Sequence, residues 1–395
     1  MHIIETFSLA TGLQIDKPEI LEHYFPLGLD QKYITIQPFG KFDSRKYDYW
    51  NEVMHLLYPV LSANDIYLLQ IGGKNEPRLD NCVYVSGQTS YNQTAYLIRR
   101  SALHLGVDSF AIHIASGLNK KIVGLYCNMY TQNSRPYWSK DEDVILLEAD
   151  RKGDKPTFAS QEHPKSINTI TPESIAGSVC ELLGLDFSPK FKTVYIGENY
   201  PNKTYEMVPT HPVDLRIFNL DSVILRMDLM FNEDILKEQL ERGPCSVLTN
   251  KPIKIELLKK YKSRIKEFVY LIDENSNADY VRYLRSNGIA YALYSFLRPE
   301  ELEQYKLDYI DYGNIIQRPK KQRSDTEKLK NKKDEDLFYV SGKHYLLGDL
   351  AFWRKDPDFN SKPIKNSNSF IPQPIPVNNP SFWDNLDCYH ILEKA

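Results

Sequence analysis

The chain has 395 residues, with 49 basic and 52 acidic side chains, a formal charge of -3 and 42% apolar residues. That near-balance excludes a global field that would gather nucleic acid, and leaves at most peripheral contact with a membrane. The length exceeds one ordinary core and predicts two α/β domains of about 150 residues each, with extras.

The first residues, "MHIIETFSLATG", lack a basic region followed by a long apolar core, and no window approaches the roughly 18 apolar residues of a membrane span, so neither export nor insertion is expected. From residue 33 apolar runs alternate with amphipathic segments: "YITIQPF" (33–39), a helical "YWNEVMHLLYPVLS" (49–62), "DIYLLQIGG" (65–73), "NCVYVSG" (81–87), "QTAYLIRRSA" (93–102), "KKIVGLYCN" (120–128) and "VILLEAD" (145–151). Short Ile-, Val- and Tyr-rich runs separated by helices predict βαβ units on a parallel sheet, a Rossmann-like lobe over 33–185. It closes with "TPESIAGSVCELLGL" (171–185), where Thr171 is the expected N-cap and Pro172 the first helical residue.

Prolines and turn residues mark 186–212 as a connector. Strands are then predicted at "VDLRIFNL" (213–220), "CSVLTN" (245–250), "FVYLIDE" (268–274), "AYALYSF" (290–296) and "LDYIDYG" (307–313), with helices between them. This gives a second doubly wound lobe over 213–316, and two such lobes facing each other make a cleft. Residues 317–336 read as a basic linker, with eight Lys or Arg against two acids between Arg318 and Lys333. Residues 337–395 are Pro- and Asn-rich but keep Trp353, Phe370, Phe382 and Trp383, which predicts an extended aromatic arm that packs on the body, on a second copy as a homo-oligomer, or on another partner. The five cysteines, Cys82, Cys127, Cys180, Cys245 and Cys388, contain no CxxC pair. They predict neither a zinc site nor a disulfide framework, and point to the cytoplasm.

Chemistry concentrates in "GVDSFAIHIASGLNKKIVGLYCNMY" (106–130). If "LHLGV" ends a strand, then Asp108, Ser109, Phe110 and Ala111 form the turn into a helix carrying His113, and its first amides face the ligand side of the sheet. A helix N-cap at Asp108 or Ser109 explains the same letters. The lobe lacks GxGxxG, GxxxxGK[ST] and GxSxG, which argues against a dinucleotide oxidoreductase, a nucleotide triphosphatase and a hydrolase. The DxD-like Asp141 to Asp143 precedes its strand and reads as a solvated turn, so no catalytic metal is expected.

The segments "YITIQPFGKFDSRKYDYWNEVMHLL", "IYLLQIGGKNEP", "LIRRSALHLGVDSFAIHIASGLNKKIVGLYCN" and "SINTITPESIAGSVCELL" together resemble the nucleotide-sugar lobe of glycosyltransferase family nine, the ADP-heptose heptosyltransferase-like family, over about residues 10 to 185. The resemblance implies a two-lobed GT-B fold and inverting transfer from a nucleotide diphosphate sugar without metal or other cofactor. The family's D-S/T-G-x-x-H turn falls on Asp108, Ser109, Phe110 and His113, with Phe110 in place of glycine. By that likeness Asp108 binds sugar hydroxyls, Ser109 with the amides of Phe110 and Ala111 binds the diphosphate, and His113 supports the turn or the phosphate. Arg45 and Lys46 resemble the family's cation for the leaving group. Residues 1–32 resemble the hinge segment that precedes the donor lobe.

The family places its acceptor lobe first, so the order here implies a circular permutation. The expected base is then a carboxylate at the first strand end of the second lobe, Asp221, with Asp273 second; Asn250 lies at another strand end. The function implied is transfer of a sugar, a heptose among the candidates, to a glycan, lipid-linked saccharide or protein acceptor. The alternative is a carbohydrate- or nucleotide-binding protein without turnover that acts through its C-terminal arm. On the donor reading, Asp108→Ala leaves the melting temperature nearly unchanged.

Overall fold

The alternating runs of the first half fold as a parallel sheet. The computed structural model describes residues 1–202, 204–218, 220–318, 321, 323–346, 352–354, 364–365, 374–377 and 386–395. It divides into two units, Met1–Thr193 with Ala395, and Val194–Lys394. The first begins with α1 (Ile3–Thr11), whose N-cap His2 and Glu5 form a capping box and whose C-cap Gly12 takes the left-handed conformation that glycine tolerates. Then follow β1 (Lys32–Gln37), α2 (Trp50–Ser62), β2 (Ile66–Gln70), β3 (Val83–Tyr84), α3 (Tyr91–Arg100), β4 (Leu103–Val107), α4 (Phe110–Gly117), β5 (Lys121–Tyr126), a single turn α5 (Thr131–Ser134), β6 (Val144–Glu148) and α6 (Pro172–Leu183). Thr171 caps α6 through the amide of Ser174, with Pro172 in the first turn.

The strand order is β3-β2-β1-β4-β5-β6, and every pairing is parallel. The order reverses between β1 and β4, so right-handed crossovers place helices on both faces. One face buries Leu97 and Ile98 of α3 with Ala111, Ile112 and Ala115 of α4; α2 and α6 pack together. The reversal is the switch point beyond whose strand ends such sheets bind ligands. Gly106 of β4 stands there, and a Cβ on it would meet the Gln37 carbonyl at 2.9 Å.

The second unit opens with the end of β7 (Phe191–Ile196) and then β8 (Thr204–Met207), both inside the segment expected to be a connector. It continues through β9 (Val223–Arg226), α7 (Glu233–Arg242), β10 (Cys245–Thr249), α8 (Ile255–Lys260), β11 (Ile265–Leu271), α9 (Ala278–Ser286), β12 (Ala292–Ser295), α10 (Pro299–Tyr309) and β13 (Ile315–Gln317). A short α11 (Glu327–Lys330) precedes β14 (Leu337–Ser341), β15 (Lys343–Leu346), β16 (Phe352–Arg354), β17 (Ile364–Lys365), β18 (Ile375–Pro376) and β19 (Tyr389–Lys394).

Its larger sheet runs β13-β12-β11-β10-β9-β8-β15-β16-β17. From β8 to β13 the strands are parallel and in strict chain order, without the reversal that defines double winding. Sequential right-handed crossovers therefore put α7 to α10 on one face, where Leu236, Leu258, Val281 and Leu302 share a core with Leu225, Val247, Tyr270 and Leu293. The second lobe is parallel α/β, as expected, but singly wound in this part.

Two expected strands move. Residues 213–220 hold a 3-10 turn at Leu215–Phe218 because the Asp214 carboxylate accepts from the Arg216 amide and guanidinium, which favours a turn. The strand begins at Val223 instead. Residues 307–313 hold the last three residues of α10 and the turn that follows it, and α10 starts at Pro299 with Glu301 accepting from the Arg298 amide. The expected linker carries α11, and three of its cations are paired within the unit: Arg323 with Asp334, Lys332 with Glu393, and Lys321 with Asp387 at 3.0 Å. The expected arm contributes β14 and β19 to a four-stranded sheet, β18-β14-β19-β7, around Leu337, Tyr339, Tyr389 and Ile391. Phe370, Phe382 and Trp383 lie outside the described residues.

His104 in the first unit is fully buried and His390 in the second nearly so. Burial pushes His104 of β4 and His390 of β19 down to about 3. A depressed pKa leaves folding unaffected above the unfolded value near 6.5, and costs stability as pH falls from there towards 3. We expect a loss of about 1.4 kcal/mol for each histidine by pH 5.5. Melting temperature measured from pH 7.5 to 5 checks this, and His104→Asn should flatten the first unit's share.

Candidate functional site

The loop after β1 is pinned before any ligand is considered. The Trp50 indole donates to the Pro38 carbonyl at 2.7 Å, and the buried Tyr47 hydroxyl donates to Ile170 at 2.8 Å. Between them a 3-10 turn, Asp43–Arg45, carries Arg45 into the corner beyond β1, β4 and β5. Its Nε donates to Asn128 Oδ1 at 3.0 Å, its Nη1 donates to the Asp108 carbonyl at 3.0 Å and lies 3.2 Å from Asp108 Oδ2, and its Nη2 meets Met129 Sδ at 2.8 Å. Asp108 is 6% exposed and also accepts from the Ser134 hydroxyl at 3.2 Å. A thioether is a weak acceptor, so Nη2 is the Arg45 donor with the weakest partner.

Ser109 occupies the N-cap of α4 but makes no side-chain capping bond. Its hydroxyl donates to Gln37 Oε1 at 2.8 Å, so the first amides of α4 are not capped by their own N-cap side chain, the state in which a helix start binds an anion. Phe110 begins α4 with 39% exposure, and its ring sits edge-on to Tyr91 at 5.2 Å. Ala111 is buried against the sheet. His113 Nε2 stands 3.9 Å from Asp108 Oδ1. Burial lowers its pKa, and His2 and Arg45 add to that against the pull of Asp108, so the imidazole is neutral at pH 7.

Arg45, Asp108, Ser109, Phe110, Ala111 and His113 thus meet in one corner. Lys46 does not join them: its ammonium pairs with Asp43 at 3.6 Å on the surface. Asn128, Met129, Ser134 and Gln37 complete the corner and are absent from the sequence-based expectation. Their signal is positional, since Gln37 ends β1 and Asn128 follows β5 by two residues. His2, 5% exposed, caps α1 with one ring nitrogen and meets the Arg135 carbonyl with the other at 2.9 Å. Burial raises the Cys127 thiol to about 12, so it is a hydrogen-bond donor to Ser44 and not a nucleophile.

The two carboxylates expected as base lie in the second unit at opposite ends of its parallel strands. Asp221 is exposed and precedes β9, because the strand starts later than the sequence suggests. Asp228, just after β9, holds the carboxylate position expected for Asp221 and takes a two-pronged contact from Arg226 at 2.8 and 2.7 Å. Asp273 follows β11 and accepts from Asn250 Nδ2 at 2.9 Å and from the Asn275 amide at 2.8 Å. Among the described residues no group of three or more His, Cys, Asp or Glu side chains is placed to hold a metal ion. No helix among them is long and apolar enough to cross a membrane.

Residues 5–164 match glycosyltransferase family 9 (heptosyltransferase). The matched segment contains the whole Arg45–Asp108 corner. Over 106 residues, 26% of this chain, the protein is 31% identical to lipooligosaccharide heptosyltransferase 2 of Haemophilus influenzae. The matched stretch spans 30% of that relative's length. Among solved structures, a family 9 glycosyl transferase from Veillonella parvula is similar at 15% identity and a TM-score of 0.32, covering 45% of this chain and 50% of that one. The ADP-heptose LPS heptosyltransferase II of E. coli is similar at 17% identity and a TM-score of 0.31, covering 39% and 47%. The segment that matches the family model ends before the second unit begins.

Proposed function

We propose that the protein is a glycosyltransferase that takes its sugar from a nucleoside diphosphate donor bound at the Arg45–Asp108 corner. The observation that carries this reading is a half-buried guanidinium beside a helix start without a side-chain cap, at the switch point of a doubly wound sheet and within the segment that matches family 9. As the glycosidic bond breaks, negative charge grows on the departing diphosphate. Arg45 and the amides at the start of α4 stabilise that charge without reorganising, and they need no metal to do so. Asp108 holds the guanidinium in place and presents Oδ1 towards the side of the corner where His113 stands. The neutral His113 stands beside Asp108 Oδ1 at 3.9 Å and lines that side of the corner.

Inverting transfer also requires a base for the acceptor hydroxyl. Of the two carboxylates expected, Asp273 follows a parallel strand end and is the one this reading retains. The donor lobe then precedes the second unit in the chain, which is the permuted order. A heptose is the sugar the family suggests, with a glycan, lipid-linked saccharide or protein as acceptor.

A thermal-shift screen with ADP-, GDP-, UDP- and CMP-sugars in EDTA tests the donor site. A ligand that binds only the folded protein adds roughly 2.7 kcal/mol at a hundredfold excess over Kd. We expect a clear shift with one nucleotide class, lost in Arg45→Met. No shift with any of them would favour the non-catalytic reading, in which Phe110 narrows the turn.

A further inference from the structure

We infer that Phe158, backed by Tyr130, is the face on which the donor's sugar ring rests, and so selects the transferred sugar. The inference rests on the donor-corner reading above and adds a specificity determinant to it. Phe158 has a φ of 55° and is 59% exposed. A bulky residue in the left-handed region is strained, and such strain persists where the surroundings over-determine it. Here they do. The Phe158 amide donates to the Asn128 carbonyl at 2.9 Å, and the next carbonyl, that of Ala159, accepts from Asn128 Nδ2 and from the Ser44 hydroxyl, both at 2.8 Å.

Asn128 is 3% exposed and Ser44 is fully buried, so the anchors are rigid while the ring they hold faces solvent. Glycine or asparagine at 158 would satisfy the same backbone with less strain. Nothing in the folding of this loop calls for an aromatic ring there. The Tyr130 ring stands 5.9 Å away at 61°, which steadies the pair.

The anchors also belong to the donor corner. Asn128 Oδ1 accepts from Arg45 Nε, so one amide ties the Phe158 loop to the Arg45–Asp108 pair. The Asp108 carboxylate accepts from Ser134 and stands 3.9 Å from His113, and Tyr130, the ring that backs Phe158, is the N-cap of the turn that carries Ser134. A sugar whose hydroxyls reach that carboxylate presents its C–H face to the neighbouring rings. A pyranose has such a face, and an exposed phenyl ring buries it without competing for its hydroxyls.

The test compares each nucleotide with its sugar: ADP against ADP-D-β-D-heptose, GDP against GDP-mannose, and UDP against UDP-glucose, titrated into wild type, Phe158→Gly and Arg45→Met by calorimetry. The expected result is that Phe158→Gly weakens the sugar nucleotide by roughly tenfold while the free nucleotide binds as before, with a melting temperature equal to or above wild type. Arg45→Met should weaken both. Sugar nucleotide binding unchanged in Phe158→Gly, with Arg45→Met still impaired, overturns this inference and leaves the donor corner standing. No binding of any pair to wild type overturns both.

Discussion

Asp108→Ala is expected to destabilise the first unit by about 3 kcal/mol and to abolish donor binding together. The carboxylate is nearly buried, and its removal leaves the Arg45 guanidinium, 16% exposed at the side chain, without its counter-charge. Deleting one partner of such a pair costs far more than the pair itself contributes, typically 3–5 kcal/mol when fully buried. This differs from the sequence-based expectation of an unchanged melting temperature, which treats Asp108 as a ligand contact waiting for substrate. Here the residue is built into the frame that aims Arg45. Urea unfolding of Asp108→Ala, Arg45→Met and the double variant measures the coupling. If the frame is as described, the double variant is no less stable than Asp108→Ala alone, because the stranded charge is gone.

The second large effect lies in the second unit. Arg226→Met is expected to cost about 3–5 kcal/mol, because it strands Asp228 and leaves Glu206 with Lys343 alone. Arg226, 8% exposed, sits between Glu206 and Asp228, and Lys343 stands 3.4 Å from Glu206. Burial alone would push Glu206 up, but Arg226 and Lys343 outweigh it and hold its carboxyl below the ordinary range. Without the guanidinium, Glu206 takes up a proton more readily. The penalty is therefore largest at neutral pH and shrinks towards pH 5, opposite in sign to the histidine effect. Urea unfolding at pH 7.5 and 5.5 checks this, with Glu206→Gln in the Arg226→Met background expected to recover stability at the higher pH.

The first lobe was largely legible because its signals are local. Apolar runs give β1, β2, β4 and β5, and Thr171 with Pro172 fixes the start of α6. The turn at Asp108 and Ser109 is readable for the same reason. Its partners are not, since Arg45 reaches Asn128 across 83 residues and Ser109 reaches Gln37 across 72. Spacing carries no record of which neighbouring strand ends converge. The choice between Arg45 and Lys46 is equally hidden, because a single turn decides which of two adjacent cations faces inward. In the second unit, β8 and β15 pair in parallel although 139 residues separate Tyr205 from its partner His344. That long-range pairing turns an expected connector and arm into sheet. Asp221 failed as a strand-end carboxylate because the strand there starts at Val223, and Asp228 holds the place instead.

Hydrogen exchange with and without the nucleotide sugar that gives the thermal shift tests the central claim most directly. Slowed exchange at the amides of Phe110 to Ile112 and around Arg45, reduced in Arg45→Met, is the predicted result. Protection confined to other segments, with these amides unchanged, would contradict the donor corner.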